Sequence, residues 1–183
     1  LELLQADLFD PAAVGRVVAL AASEADAPLS AVANLVGGFD APGKVGEVPV
    51  ERFERQFELN LRPTYLVTQA ALSHLVAAGD GAIVCVGTRA ALQPFSGAAG
   101  YAASKAAVIT LVKAIAVEYR DQGVRANVVL PSVIDTPANR RAMPDSDFER
   151  WVKPEQIASV IAHLLSPDSS AVSGAAIPVY GRA

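Results

Sequence analysis

The sequence predicts an α/β protein built on a doubly wound parallel sheet, and three observations carry that prediction. Short apolar runs of strand length alternate with longer segments of helical character along the whole chain, a pattern that lays parallel strands between two helical layers. The 183 residues are 52% hydrophobic, yet no stretch approaches the roughly 18 uninterrupted apolar residues of a membrane span. The excess must therefore be buried on both faces of a sheet or between subunits. No internal repeat, low-complexity tract or linker divides the chain, so residues 1–183 read as one domain.

The elements follow in order. ELLQAD, residues 2–7, reads as a strand, and PAAVGRVVALAASEAD as a helix with Pro11 in its first turn and Asp10 as its cap. LSAVANLV has strand length and leads into the flexible GGFDAPGKVGE. The next helix is expected over residues 50–78, with Pro63 bending it or removing one hydrogen bond. GAIVCVG is a buried strand; SGAAGYAASKAAVITLVKAIAVEYRDQG is a long helix ending near Gly123. VRANVVL is a further strand, residues 131–153 an irregular, proline-bearing segment, PEQIASVIAHLLS a helix and GAAIPVYG a last strand.

Composition narrows the function. A net charge of −4 with scattered basic residues predicts no nucleic-acid partner. Cys85 is the single cysteine, so no intrachain disulfide forms, no thiolate metal set exists, and a reducing cytoplasm is the expected compartment. It reads as an inert core thiol. His74 and His163 have no ligand-like partners in sequence, so no metal is expected. Because the chain starts at Leu1, its native N-terminus is expected further upstream.

The chemistry concentrates in GYAASKAA. Tyr101 and Lys105 are four apart, which on a helix brings a phenol and an ammonium to one face. Free tyrosine titrates near pH ~10; making it a proton donor and acceptor near ~7 requires about 4 kcal/mol of phenolate stabilisation, which a held cation can supply. Thr88 lies just after the apolar run AIVCVG and thirteen residues before Tyr101, Asn60 sits in the preceding helical stretch, and PSVIDTP follows another apolar run. A polar Asn60 among Phe57, Leu59, Leu61 and Tyr65 needs a partner.

This combination closely resembles the short-chain dehydrogenase/reductase family, whose fold is Rossmann-like. The resemblance implies that Tyr101 exchanges a proton with the substrate, that Lys105 lowers its pKa and holds the ribose hydroxyls, and that Thr88 donates its hydroxyl to the substrate oxygen. Most members have serine there, and threonine offers the same hydroxyl in a narrower pocket. Asn60 would hold a water of the proton relay. ANLVGG stands where the family has N-N-A-G, so Asn34 and Gly37 carry over as the cofactor floor, while Leu35 and Val36 depart from the pattern. Asp7 and Leu8 match the residues beside the adenine, with helix-end capping the competing role for Asp7. After Pro131, with Ser132 in place of the family's glycine, the Ile134 backbone and the Thr136 hydroxyl would hold the nicotinamide carboxamide.

One family feature is missing. The phosphate-binding turn, T-G-x-x-x-G-x-G, does not occur in the chain, so an N-terminal β-α-β-α portion, on the order of 50 residues at ~30 per βαβ unit, is expected before Leu1. TPANRRAMPDSDFERWVKP resembles the corresponding region of dihydropteridine reductases and their bacterial relatives; Met143, Phe148 and Trp151 are candidate lid contacts there, or else pack against the sheet edge. The sequence thus predicts an enzyme that takes NAD or NADP and moves hydride to or from a small carbonyl or alcohol substrate. Dihydropteridine reductase-like activity and a non-catalytic dinucleotide sensor are the competing readings. Alanine-rich faces on the helices 50–78 and 99–122 predict a homotetramer, with a homodimer as fallback.

Overall fold

The computed structural model describes residues 2–182. Four parallel strands, β1 (Ala31–Asn34), β2 (Gly81–Val86), β3 (Val124–Pro131) and β4 (Ala176–Val179), lie side by side in chain order. Each crossover runs through helix: α2 (Val50–Asn60) and α3 (Arg62–Ala78) between β1 and β2, α4 (Ala99–Glu118) between β2 and β3, and α5 (Pro137–Ala142) and α6 (Pro154–Leu165) between β3 and β4. Helix α1 (Pro11–Ala21) precedes β1 and packs against α3. The expected doubly wound parallel fold is therefore present.

Period-two burial explains the two layers. On β2 and β3, Ile83, Cys85, Val124, Ala126, Val128 and Leu130 join one core with α1, α3 and α4. Val84 and Val129 point the other way and meet Ile157, Ile161 and Leu164 of α6. All eight residues of β3 are buried, as a central parallel strand demands. Two of them are polar. Asn127 bonds the chain entering β4, donating to Val172 O at 2.8 Å and accepting from Ala175 N at 3.0 Å. The guanidinium of Arg125 donates to the carbonyls of Leu164, Ser166 and Ser169, closing the C-terminal end of α6.

Helix ends follow local rules. Asp10 caps α1 through its carboxylate, which accepts from Ala12 N at 2.9 Å. Gly123, at φ +77°, turns the chain from α4 into β3, where a Cβ would fall 2.5 Å from Gly79 O. Helix α4 has the length and hydropathy of a membrane span, but it carries Lys105 and Lys113 and lays Val108, Ile109, Val112 and Ile115 onto the sheet.

Three expectations need correction. Residues 2–7 form no strand; Leu3 is 88% exposed, because no neighbouring strand among the described residues offers that segment hydrogen bonds. The helix expected over 50–78 is two helices broken at Leu61, since Pro63 cannot donate to the carbonyl four residues back. Residues 131–153 are not wholly irregular: Thr136 caps α5, and Phe148–Arg150 make a single 3₁₀ turn.

Candidate active site

Parallel strands deliver their C-terminal ends to one rim of the sheet, where open α/β folds bind ligands. A cleft there is lined by Gly37, Gly38 and Phe39 after β1, Val86, Gly87 and Thr88 after β2, Pro131, Ser132 and Ile134 after β3, and Tyr101 and Lys105 from the first turns of α4. The structure thus brings together Gly37, Thr88, Tyr101, Lys105, Pro131 and Ile134, residues separated by up to nearly a hundred positions in sequence.

Lys105 is buried with no carboxylate partner among the described residues. Its Nζ donates to Val86 O at 2.8 Å, one of the ammonium's three donors. Burial pulls its pKa down to about 8, against a small opposing influence of Cys85. The phenol of Tyr101 is pushed up by burial, and the neighbouring Thr88 hydroxyl works against that rise. The spacing of four suggests a lysine that lowers the tyrosine; in this structure the ammonium turns to the strand carbonyl, and burial sets the direction for the phenol. Thr88 Oγ1 accepts from Ala90 N at 3.3 Å, capping the turn that follows, which leaves its hydroxyl proton for the cleft.

Asn60 is fully buried at the break between α2 and α3. Its Oδ1 accepts from Gly38 N at 2.9 Å, and its Nδ2 donates to Ser104 Oγ at 3.1 Å, whose proton goes to Tyr101 O at 2.9 Å. The side chain is therefore a brace between the β1 loop and the helix that carries Tyr101 and Lys105. Gly37 is tight against both: a Cβ there would lie 2.6 Å from Asn60 Oδ1 and 2.7 Å from Lys105 Nζ. Gly37→Ala should displace the ammonium or the amide while leaving the core intact. A shift of about 1 Å at a reacting site costs on the order of 10²-fold in rate, so kcat/KM should fall that far with Tm nearly unchanged, as steady-state kinetics and thermal melts will show.

The remaining expected site residues are placed less centrally. Asn34 is buried, with Oδ1 accepting from Val36 N at 3.2 Å and Nδ2 without a partner among the described residues. Asp7 accepts from Phe9 N at 2.9 Å within a turn, and neither Asp7 nor Leu8 lines the cleft. Thr136 Oγ1 accepts from Asn139 N, while Asn139 Nδ2 donates to Ile134 O at 2.8 Å, so Asn139 holds both positions assigned to the carboxamide. Met143 is exposed at the end of α5. Trp151 is buried beneath Phe148, ring centroids 4.8 Å apart, in a packed pair outside the cleft lining. Three residues that sequence reasoning passed over are Phe39, Ser104 and Asn139. Only Ser104, adjacent to Lys105 in the helix string, carried a signal.

The cleft suits a dinucleotide's nicotinamide end. A buried ammonium with donors to spare sits against a glycine whose missing side chain lets it approach the β1 loop, and this is donor chemistry fitted to ribose hydroxyls.

Comparison with known proteins is consistent with this geometry. A family profile described as enoyl-(acyl carrier protein) reductase matches residues 1–181. The chain is 30% identical over 190 residues to 2-(R)-hydroxypropyl-CoM dehydrogenase of Xanthobacter autotrophicus, covering 97% of this chain and 76% of that protein. It is 35% identical over 192 residues to a relative from the same organism named inactive 2-(S)-hydroxypropyl-CoM dehydrogenase 2, covering 96% of this chain and 82% of that one. The NADH complex of 3-ketoacyl-(acyl-carrier-protein) reductase from Brucella melitensis superposes with a TM-score of 0.84 at 29% identity, over 97% of this chain and 76% of that one. On these matches the chain belongs to the short-chain dehydrogenase/reductase family of NAD(P)-dependent oxidoreductases.

Proposed function

We propose that this protein interconverts a small carbonyl compound and its alcohol, with Tyr101 as the general acid and base. The observation that carries the reading is the convergence of the Thr88 hydroxyl, the Tyr101 phenol and the buried Lys105 ammonium on one cleft at the strand ends. NAD or NADP, held by Lys105, Asn34, Gly37, Pro131, Ile134 and Thr136, supplies or accepts the hydride when bound. In reduction, the substrate oxygen gains electron density as its carbon takes hydride; Tyr101 passes its proton to that oxygen and is left as phenolate. Thr88 donates to the same oxygen and fixes its position. Lys105, charged below pH ~8, offers its remaining donors to the ribose hydroxyls, and the Asn60–Ser104 brace keeps Tyr101 and Lys105 in register. A relative named inactive shows that membership alone does not confer turnover, so the reading rests on these side chains being present and gathered.

Thr88→Val tests the hydroxyl directly. Loss of one donor to a developing oxyanion costs on the order of 10²–10³ in kcat. Thr88→Ser keeps both the donor and the turn cap, so it should stay active. A valine variant as fast as wild type would assign the substrate oxygen to another group.

The reading extends to a single-domain cytoplasmic homotetramer, built through the alanine-bearing faces of α3 and α4. Native mass spectrometry checks the assembly. The particle should weigh four chains; a monomer at micromolar concentration would remove the assembly reading.

A further inference from the structure

Two aromatic rings, Phe39 in the cleft lining and Phe95 beside it, have no place in either core. Phe39 lies edge-on to the ring of Tyr101, centroids 4.9 Å apart, and Phe95 lies 6.3 Å from Phe39. Phe39 is 64% exposed and Phe95 52%, so the pair makes an apolar patch that a ligand can cover. They come from different segments: Phe39 from the loop after β1, Phe95 from the stretch that joins Thr88 to Tyr101. Each segment that shapes the reacting site therefore also delivers one exposed ring beside it.

The charge around the cleft is equally one-sided. Among its lining residues Lys105 alone is ionisable with a charge near neutrality, and it is turned to Val86 O. Arg89, next to Thr88, donates to Gln93 Oε1 at 3.0 Å and lies over the Tyr180 ring at 5.1 Å. Arg140, on the segment that leaves Ile134, is held by both oxygens of Asp135. Both guanidiniums are engaged by partners of their own and neither lines the cleft, so the lining offers an anionic substituent no cation but Lys105.

We infer that the substrate is an uncharged ketone or secondary alcohol whose oxygen-bearing carbon is attached to an aromatic or alicyclic ring, with the ring seated against Phe39 and Phe95. An anionic group on that ring is disfavoured. The oxidation balances as loss of hydride from the carbinol carbon to NAD⁺ or NADP⁺ and of the hydroxyl proton to Tyr101. The inference uses the proposed function only to place the substrate oxygen beside Thr88 and Tyr101; the ring and charge preferences come from Phe39, Phe95 and the engaged arginines.

The test measures binding apart from turnover. 1-Phenylethanol and 4-(1-hydroxyethyl)benzoate are titrated by saturation-transfer NMR into the full-length protein with NADH and NADPH present, conditions under which neither alcohol can be oxidised. The neutral probe should bind at least tenfold more tightly than the carboxylate. Phe39→Ala with Phe95→Ala should weaken it by roughly tenfold or more, since stacked aromatic contacts add about that much beyond area. Both rings are largely exposed, so the variant should keep the wild-type melting temperature; Phe39→Leu with Phe95→Leu serves as a second variant of closer volume and should fall between the two. Tyr101→Phe, which keeps its ring, should bind within about threefold of wild type. Equal affinity for the two probes, absence of binding, or a double variant that binds like wild type overturns the inference. Failure of the catalytic reading looks different: 1-phenylethanol binds as described, yet Tyr101→Phe oxidises it as fast as wild type when NAD⁺ or NADP⁺ replaces the reduced forms.

Discussion

Tyr101→Phe should lower kcat by about 10³, within the 10²–10⁴ that positioned proton transfer contributes, and leave cofactor affinity within twofold. The substitution removes one oxygen from a ring that stays packed edge-on against Phe39. Neither Lys105 nor the Asn60–Ser104 brace bonds to that oxygen, because Ser104 donates to the main-chain carbonyl of Tyr101 instead. Binding and chemistry should therefore separate cleanly. Nicotinamide fluorescence titration reads the first and single-turnover rates the second. Activity within tenfold of wild type would remove Tyr101 from its assigned place.

Lys105→Met should stop the reaction and stabilise the fold. In the folded protein the ammonium is buried with a carbonyl as its hydrogen-bond partner, and its pKa falls from 10.5 to about 8. The unfolded chain binds that proton more tightly, so at pH 7 holding the charge opposes folding. Methionine fills similar space without charge. After allowance for the Val86 carbonyl losing its donor, the gain is on the order of 2 kcal/mol, a rise in Tm of roughly 4–8 °C for a chain of this size. The sign of the pH dependence follows. Between about 8 and 10.5 the folded lysine is neutral while the unfolded one is still charged, so wild-type stability climbs with pH in that window. The advantage of the variant should be full below pH 8 and shrink towards 10.5. Melts in a pH series check this, and a variant that is less stable at pH 7 would contradict the buried-charge account.

How much of this was legible in the sequence depended on the range of the interactions involved. The β2 and β3 strands could be read because Ile83, Val84 and Cys85, and Val128, Val129 and Leu130, are apolar on both faces, and a strand between two cores must be. The pairing of Tyr101 with Lys105 could be read because four residues on a helix is a local distance. ELLQAD could not be read correctly, since a strand depends on a neighbour elsewhere in the chain and the apolar pattern says nothing of whether one is present. Asp7 was ambiguous for the opposite reason: its turn bond to Phe9 is local, and so was the competing capping role. Phe39 sits in a glycine-rich loop with no periodicity; only the tertiary structure swings it against Tyr101. The tyrosine's own shift depended on burial, which spacing does not encode.

Cys85 gives the fold an internal clock. It is the single cysteine in the chain, it sits in mid-β2 with 1% exposure, and burial pushes its thiol up to about 12. A buried thiol in that state does not react with an alkylating reagent, so any labelling must wait for the sheet to open around it. Its side chain faces the core shared with α4 and lies near enough to Lys105 for their charges to interact. The rate at which an alkylating reagent reaches Cys85 therefore reports the opening of the same strand and helix that frame the cleft, one event per chain, without any introduced probe.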